Sequence, residues 1–338
     1  MERFRGRLIT LVAPLLALYV IWGSTYLGIR IAIETMPPFL MAAVRFALAG
    51  ALMYVFAIRR GDPDGSDRPG RRQWLAALIV GGLLLAGGNG LVSWGEQFIS
   101  SGLAALLVAT VPLWMVVLSH FFGDERLTWP VVVGVVIGLI GVAVLARPSG
   151  AGNGIIGVAA VLMAAILWAS GSIYARRAPL PRRPLVATSL EMLCGSAVLA
   201  VAAVASGELG QVHLSALSAR SVLALAYLVF FGSIVAFTSY VWLLKTSRPS
   251  IVGTYAYVNP AVAVVLGFLV LGEPLTAPTI IGGGIIIVAV ALIVTARSLR
   301  RPGARGGEAT TEAGEVRAQP AAQPLDVIAE PAAEGEVA

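Results

Sequence analysis

Ten apolar stretches, each about the length needed to cross a bilayer, follow one another along this 338-residue chain. A hydrocarbon core of roughly 30 Å takes about 20 residues of α-helix. The stretches fall at 10–30, 38–58, 74–95, 101–121, 129–146, 154–175, 185–206, 220–244, 250–271 and 275–296. Their apolar runs are unbroken, whereas the strands of an outer-membrane barrel alternate apolar and polar residues. Composition agrees: 58% of residues are hydrophobic and 12% charged, with mean hydropathy +0.86. Soluble domains run at about 45–50% apolar and about 25% charged, so one soluble core of ordinary surface-to-volume ratio is excluded. The expected fold class is an all-α polytopic membrane protein with ten transmembrane helices.

The 24 Lys and Arg residues orient it. With the N-terminus inside, 20 of them fall on the cytoplasmic side, from Arg3, Arg5 and Arg7 to the five that begin at Arg297. Only Arg147 and Arg220 mark the outside, while Arg30 and Arg45 fall within or at the end of spans. The bias follows the positive-inside rule and puts both termini in the cytoplasm of a cell with an inner (plasma) membrane. Because the arginines lie in short clusters between spans, the net charge of +6 is read as topology and not as a nucleic-acid surface. The arginine-led N-terminus imitates a signal peptide, but nine further spans in a regular rhythm identify it as a retained first helix. Residues 1–9 are a cytoplasmic N-terminus, and residues 297–338, rich in Ala, Glu, Gly and Pro, are expected to be a disordered cytoplasmic tail. Cys194, the single cysteine, lies in an apolar run and is read as packing.

The chain also repeats itself. At an offset of 148 residues Trp94 meets Trp242, Pro112 meets Pro260, Glu125 meets Glu273, Pro130 meets Pro278 and Gly134 meets Gly282. Matches between Trp, Pro and Glu at one constant offset are far more informative than matches between Val, Leu and Ala. Residues 10–146 and 154–296 are then two five-span repeats. Five is odd, so the second enters the membrane from the opposite side. Inverted repeats of this kind give secondary transporters two nearly equivalent packings around a central site.

Trp22-Gly23-Ser24-Thr25-Tyr26, Arg30, Pro37-Pro38 and Ala43-Val44-Arg45-Phe46 resemble the opening of EamA-type members of the drug/metabolite transporter superfamily. Ser101-Gly102-Leu103-Ala104-Ala105-Leu106-Leu107 resembles that family's fourth span. Tyr257-Val258-Asn259-Pro260 with Leu271-Gly272-Glu273-Pro274-Leu275-Thr276 resembles its repeat signature. The resemblance covers residues 10 to 296 and implies ten helices in two inverted halves. It also implies export of amino acids, metabolites or drugs, and the opening together with Gly87-Gly88-Asn89-Gly90 is most similar to the amino-acid and metabolite exporter branch. Glu96 and Gln97 depart from the aromatic and small polar residues usual before the Ser-Gly-Leu-Ala segment, so the family's aromatic contacts there are not carried over.

Candidate substrate-binding residues are Trp22, Tyr26, Arg45, Trp168, Glu191, Tyr255, Tyr257 and Asn259. Trp22 and Trp168 lie near mid-depth at corresponding places in the two halves, where cavity wall and helix packing weigh evenly. Tyr255 and Tyr257 precede Asn259-Pro260, where proline frees a carbonyl, although kinking is the favoured role of Pro112 and Pro260. Trp94, Tyr174 and Trp242, near span ends, are read as interface or packing residues. Arg45 and Glu191 are ionisable groups inside spans and therefore costly; Glu191 is a candidate proton carrier. Two gating pairs are expected, Arg45 with Glu96 and Glu191 with Lys245. Glu125 and Glu273 are expected to cap the helices that follow them. Small-residue runs such as Gly134-x-x-x-Gly138 and Gly282-Gly283-Gly284 are read as intramolecular packing, with a homodimer seam on the fifth and tenth spans as the alternative.

No nucleotide-binding loop or zinc motif is present, and the aspartates lie only in loops and the tail. Neither a cofactor nor a metal nor a catalytic residue is expected. The reading is a non-enzymatic secondary transporter embedded in the lipid bilayer, exporting a small-molecule substrate by alternating access. The rivals are a membrane enzyme or flippase acting on a lipid-linked substrate, and a channel.

Overall fold

The structure is a computed structural model describing residues 2–61, 68–121, 128–146, 154–246 and 254–298. Glu125 and residues 299–338 lie outside the described residues, as do the side chains of residues 2–11, 241, 244–246 and 297–298. Among the described residues ten long helices succeed one another: α1 (Glu2–Ala32), α2 (Pro38–Arg59), α3 (Arg71–Gly95), α4 (Ser101–Phe121), α5 (Trp129–Leu145), α6 (Gly154–Ala175), α7 (Pro184–Ala205), α8 (219–246), α9 (Tyr255–Leu271) and α10 (Ala277–Ser298). No strand occurs among the described residues.

Local chemistry sets the boundaries. Pro38 and Pro184 open α2 and α7 at the first helical position, where a missing N–H costs nothing. Ser100 and Ser218 cap α4 and α8, each hydroxyl oxygen accepting from a backbone N–H of the first turn. Gly272, at φ +66°, closes α9 in the left-handed conformation that glycine adopts without steric cost. Three helices are irregular inside the span. α3 and α8 widen to π-helix at Gly82–Gly90 and Leu228–Val235, and α4 breaks at Ala109-Thr110, just before Pro112. The two π segments occupy corresponding places in the two halves.

Packing pairs the halves with each other. α2 lies along α7, where Gly50 meets Met192 and Leu193, and α5 lies along α10. Gly134 meets Ile293 and Ala289, and Gly141 meets Ile286 and Gly282, so these small residues seat α5 and α10 on each other within one chain. α1 packs on α8 and α9, and α6 packs on α3 and α4, which is the same set of neighbours with the halves exchanged. This is the two-fold relation of an inverted repeat. Lipid offers no less apolar surroundings than a helix face, so close approach at small residues has to supply the association. The perimeter carries exposed apolar side chains such as Leu52, Leu139, Leu223 and Leu269, as a lipid-facing surface must.

Candidate functional site, a cavity shared by the two repeats

The repeat relation becomes chemistry at two tryptophans. Trp22 of α1 donates through Nε1 to the Gly232 carbonyl, 3.3 Å away, in the π segment of α8. Trp168 of α6 lies against Gly88 in the π segment of α3, where an added Cβ would come within 2.6 Å of its ring. Each tryptophan thus leans on the irregular stretch of the opposite half. A π turn leaves carbonyls out of the regular ladder, which lets Gly232 accept from a side chain.

Between them lies a cavity of about 140 Å³. α1 contributes Trp22, Thr25, Tyr26 and Ile29, α2 contributes Arg45 and Phe46, and α3 contributes Asn89 and Val92. The broken middle of α4, from Ala105 to Met115, lines it too, as do Trp168, Gly232 and Phe237. Tyr255, Ala256, Asn259 and Pro260 of α9 complete it. Trp22 anchors an aromatic cluster, with ring centroids 5.6, 5.3 and 5.2 Å from Phe237, Tyr240 and Tyr255. Six of the eight candidate residues, Trp22, Tyr26, Arg45, Trp168, Tyr255 and Asn259, are therefore brought together.

Two are not. Tyr257 packs against the hydrophobic core and is absent from the lining. Glu191 sits where α7 crosses α3, its carbonyl oxygen 2.2 Å from where a Cβ on Gly81 would stand. Neighbouring residues of one helix face different sides, which a short motif read linearly does not separate.

The charged residues also part from expectation. Arg45 does not meet Glu96. It is buried at 5% exposure, and its Nε donates to Ser233 Oγ at 3.0 Å. Glu96, at 0% exposure in the turn beyond α3, has no hydrogen-bond partner for either carboxylate oxygen. It is Arg30 that lies beside it, donating to the Glu96 backbone carbonyl. Desolvation pushes the Glu96 carboxyl well above the usual carboxylate range; the Arg30 guanidinium pulls it down and the nearby Glu273 carboxylate pushes it further up. The side chain of Lys245, the expected partner of Glu191, lies outside the described residues.

Glu273 caps a helix, but not the one that follows it. Its carboxylate accepts from the backbone N–H groups of Ser101 at 2.8 Å and Gly102 at 3.1 Å, at the N-terminus of α4 in the other half. Only the tertiary fold puts the α9–α10 turn beside that terminus. Glu208, which the sequence reading passed over, does the same for α2: its carboxylate accepts from Phe39 N at 3.2 Å and Leu40 N at 2.8 Å. The available signal was an acid just beyond a span opposite an uncapped Pro-Pro helix start.

Comparison with known proteins agrees with this architecture. The sequence profile of the EamA-like transporter family matches residues 10–147 and again residues 155–295. The chain is 42% identical over 301 residues, 88% of its length and 94% of the relative's, to the uncharacterized inner membrane transporter YedA of Escherichia coli strain K12. It is 28% identical over 287 residues, 83% of this chain and 92% of the other, to a protein of Streptantibioticus cattleyicolor named as a probable terminal-alkyne amino-acid exporter. A crystal structure covering 86% of this chain shares the fold at TM-score 0.57 and 22% identity. With both of its halves matched by one profile around a cavity that both halves build, the chain belongs to the EamA-like transporter family.

Proposed function

We propose that this protein is a secondary carrier of the inner membrane that exports a small organic solute by alternating access, the solute resting in the central cavity. The observation that carries the reading is the shared wall: Trp22 from one repeat and Trp168 from the other line a single cavity, each held by the other half's π segment. Two similar halves of opposite orientation have two nearly equivalent ways to pack, one opening the cavity to each side. The relative named as an inner membrane transporter and the one named as an amino-acid exporter support the membrane and the solute class. In this reading both termini are cytoplasmic, as the distribution of Arg and Lys requires. Trp22, Tyr26, Trp168 and Tyr255 form the apolar walls, and Arg45 and Asn259 supply polar contacts.

Counterflow in proteoliposomes tests it, using a panel of radiolabelled amino acids and small metabolites. A carrier accumulates label when unlabelled solute is trapped inside. Conversion of solute without exchange would mark an enzyme, and flux that unlabelled solute fails to accelerate would mark a channel.

A further inference from the structure

The central cavity holds one charge and no countercharge. Arg45 is the only ionised side chain among the described residues that line it, and no Asp or Glu stands opposite. A guanidinium carries five N–H donors in a planar fork. Among the described residues only Nε has a hydrogen-bond acceptor, Ser233 Oγ. Its guanidinium carbon lies 4.8 Å from the Phe46 ring centroid, but a buried charge with no carboxylate beside it is expensive, and more so in a span surrounded by hydrocarbon. Asn259, which also lines the cavity and is 7% exposed, has an amide oxygen with no hydrogen-bond donor. An acceptor that is both buried and unsatisfied keeps the full cost of its desolvation. Both residues line the same cavity, together with the aromatic rings of Trp22, Tyr26, Trp168 and Tyr255.

We infer that the solute carries a carboxylate that docks on the Arg45 fork, a hydrogen-bond donor for Asn259 Oδ1, and an apolar body that lies between Trp22 and Trp168. The inference rests on the carrier reading above and names the chemistry of its substrate. A carboxylate matches the guanidinium fork in shape and neutralises it one for one. A phosphate dianion would leave a surplus negative charge among Trp, Tyr and Phe, where the described residues supply no second cation. A cationic solute would set two positive charges side by side in a low-dielectric space. The donor that satisfies Asn259 is an ammonium or a hydroxyl, so amino acids and hydroxy acids with apolar bodies share the required chemistry.

The experiment is direct binding to the purified full-length protein, read by thermal shift and titration. The panel has three bodies, branched aliphatic, phenyl and indolyl, each as the amino acid, the hydroxy acid, the amino-acid amide and the decarboxylated amine. A carboxylate that binds the native state raises its melting temperature. The expected result is that at least one body binds about tenfold or more tightly as a carboxylate than as its amide or amine. In Arg45→Gln that preference should collapse to about 1, and in Arg45→Lys, which keeps the charge but loses the fork, part of it should remain. Comparison of the amino with the hydroxy acid identifies the donor that Asn259 takes. Amides or amines that bind as well as the acids in the wild type overturn the inference, as does a failure of every carboxylate to bind at millimolar concentration. Counterflow of an amine by a protein that binds no carboxylate would leave the carrier standing and remove the carboxylate.

Discussion

At the scale of single residues, burial decides what each charge can do. Glu96 combines full burial with two unpartnered oxygens, and its raised pKa has a definite sign in stability. A carboxyl whose pKa is higher folded than unfolded stabilises the fold fully below its unfolded pKa, and that contribution is lost as pH rises toward the folded pKa. Stability should therefore fall with rising pH above the ordinary carboxylate range, and Glu96→Gln should flatten that slope while keeping the side chain's shape. Thermal melting of wild type and variant across that range checks this; parallel slopes would mean that Glu96 finds a partner in solution. The two tryptophans make a second expectation. Trp22→Ala and Trp168→Ala should each reduce transport substantially while leaving membrane insertion intact, because each removes a cavity wall and its contact with the opposite half. Transport rates normalised to membrane-inserted protein decide it, and normal rates in both variants would reassign the pair to packing.

The elements are positioned by places where side chains are missing. Gly81 sits at the α3–α7 crossing, with the Glu191 carbonyl oxygen 2.2 Å and the Gly195 nitrogen 2.9 Å from where its Cβ would be. Gly82, the next residue, has nothing within 4 Å. Gly81→Ala forces two backbones apart and should cost on the order of 1–3 kcal/mol. Gly82→Ala fills open space and should be neutral or gain up to about 1 kcal/mol from helix propensity. Melting of both variants in the same detergent measures the contrast, which equal shifts would contradict. Glu273→Gln tests the cross-half cap in the same way: losing the charge at the α4 N-terminus should destabilise the fold by about 0.5–2 kcal/mol. The glycine runs were readable as close-packing sites, but which helix each one meets was not.

For the whole molecule, the inverted repeat makes a topological demand. Five spans in the first half require that its two ends lie on opposite sides. A reporter fused after Arg301 should read cytoplasmic and one inserted near Gly150 should read external; a shared side would remove one span from the count. The same relation explains why α2 pairs with α7 and α5 with α10, since elements nearest a two-fold axis meet their own counterparts. It also places the cavity where α1, α2, α3, α4, α6, α8 and α9 converge.

Span number, apolar character and the odd-numbered repeat were legible in the chain because they rest on length, composition and offset, and the family because motifs such as Trp22-Gly23-Ser24-Thr25-Tyr26 resemble its own. Trp22 and Trp168 stood out for the same reason, being matched across the repeat. The partners of Arg45, Glu96, Glu208 and Glu273 were not legible. Each depends on which turn of one helix faces which end of another, and helices of nearly uniform apolarity carry little periodic signal to set that rotation. Nor did the sequence reveal the π segments, because nothing in Gly82–Gly90 or Leu228–Val235 is incompatible with a regular α-helix. Ser233 became the partner of Arg45 only when the halves closed on each other, 188 residues apart in the chain and 3.0 Å apart in the fold.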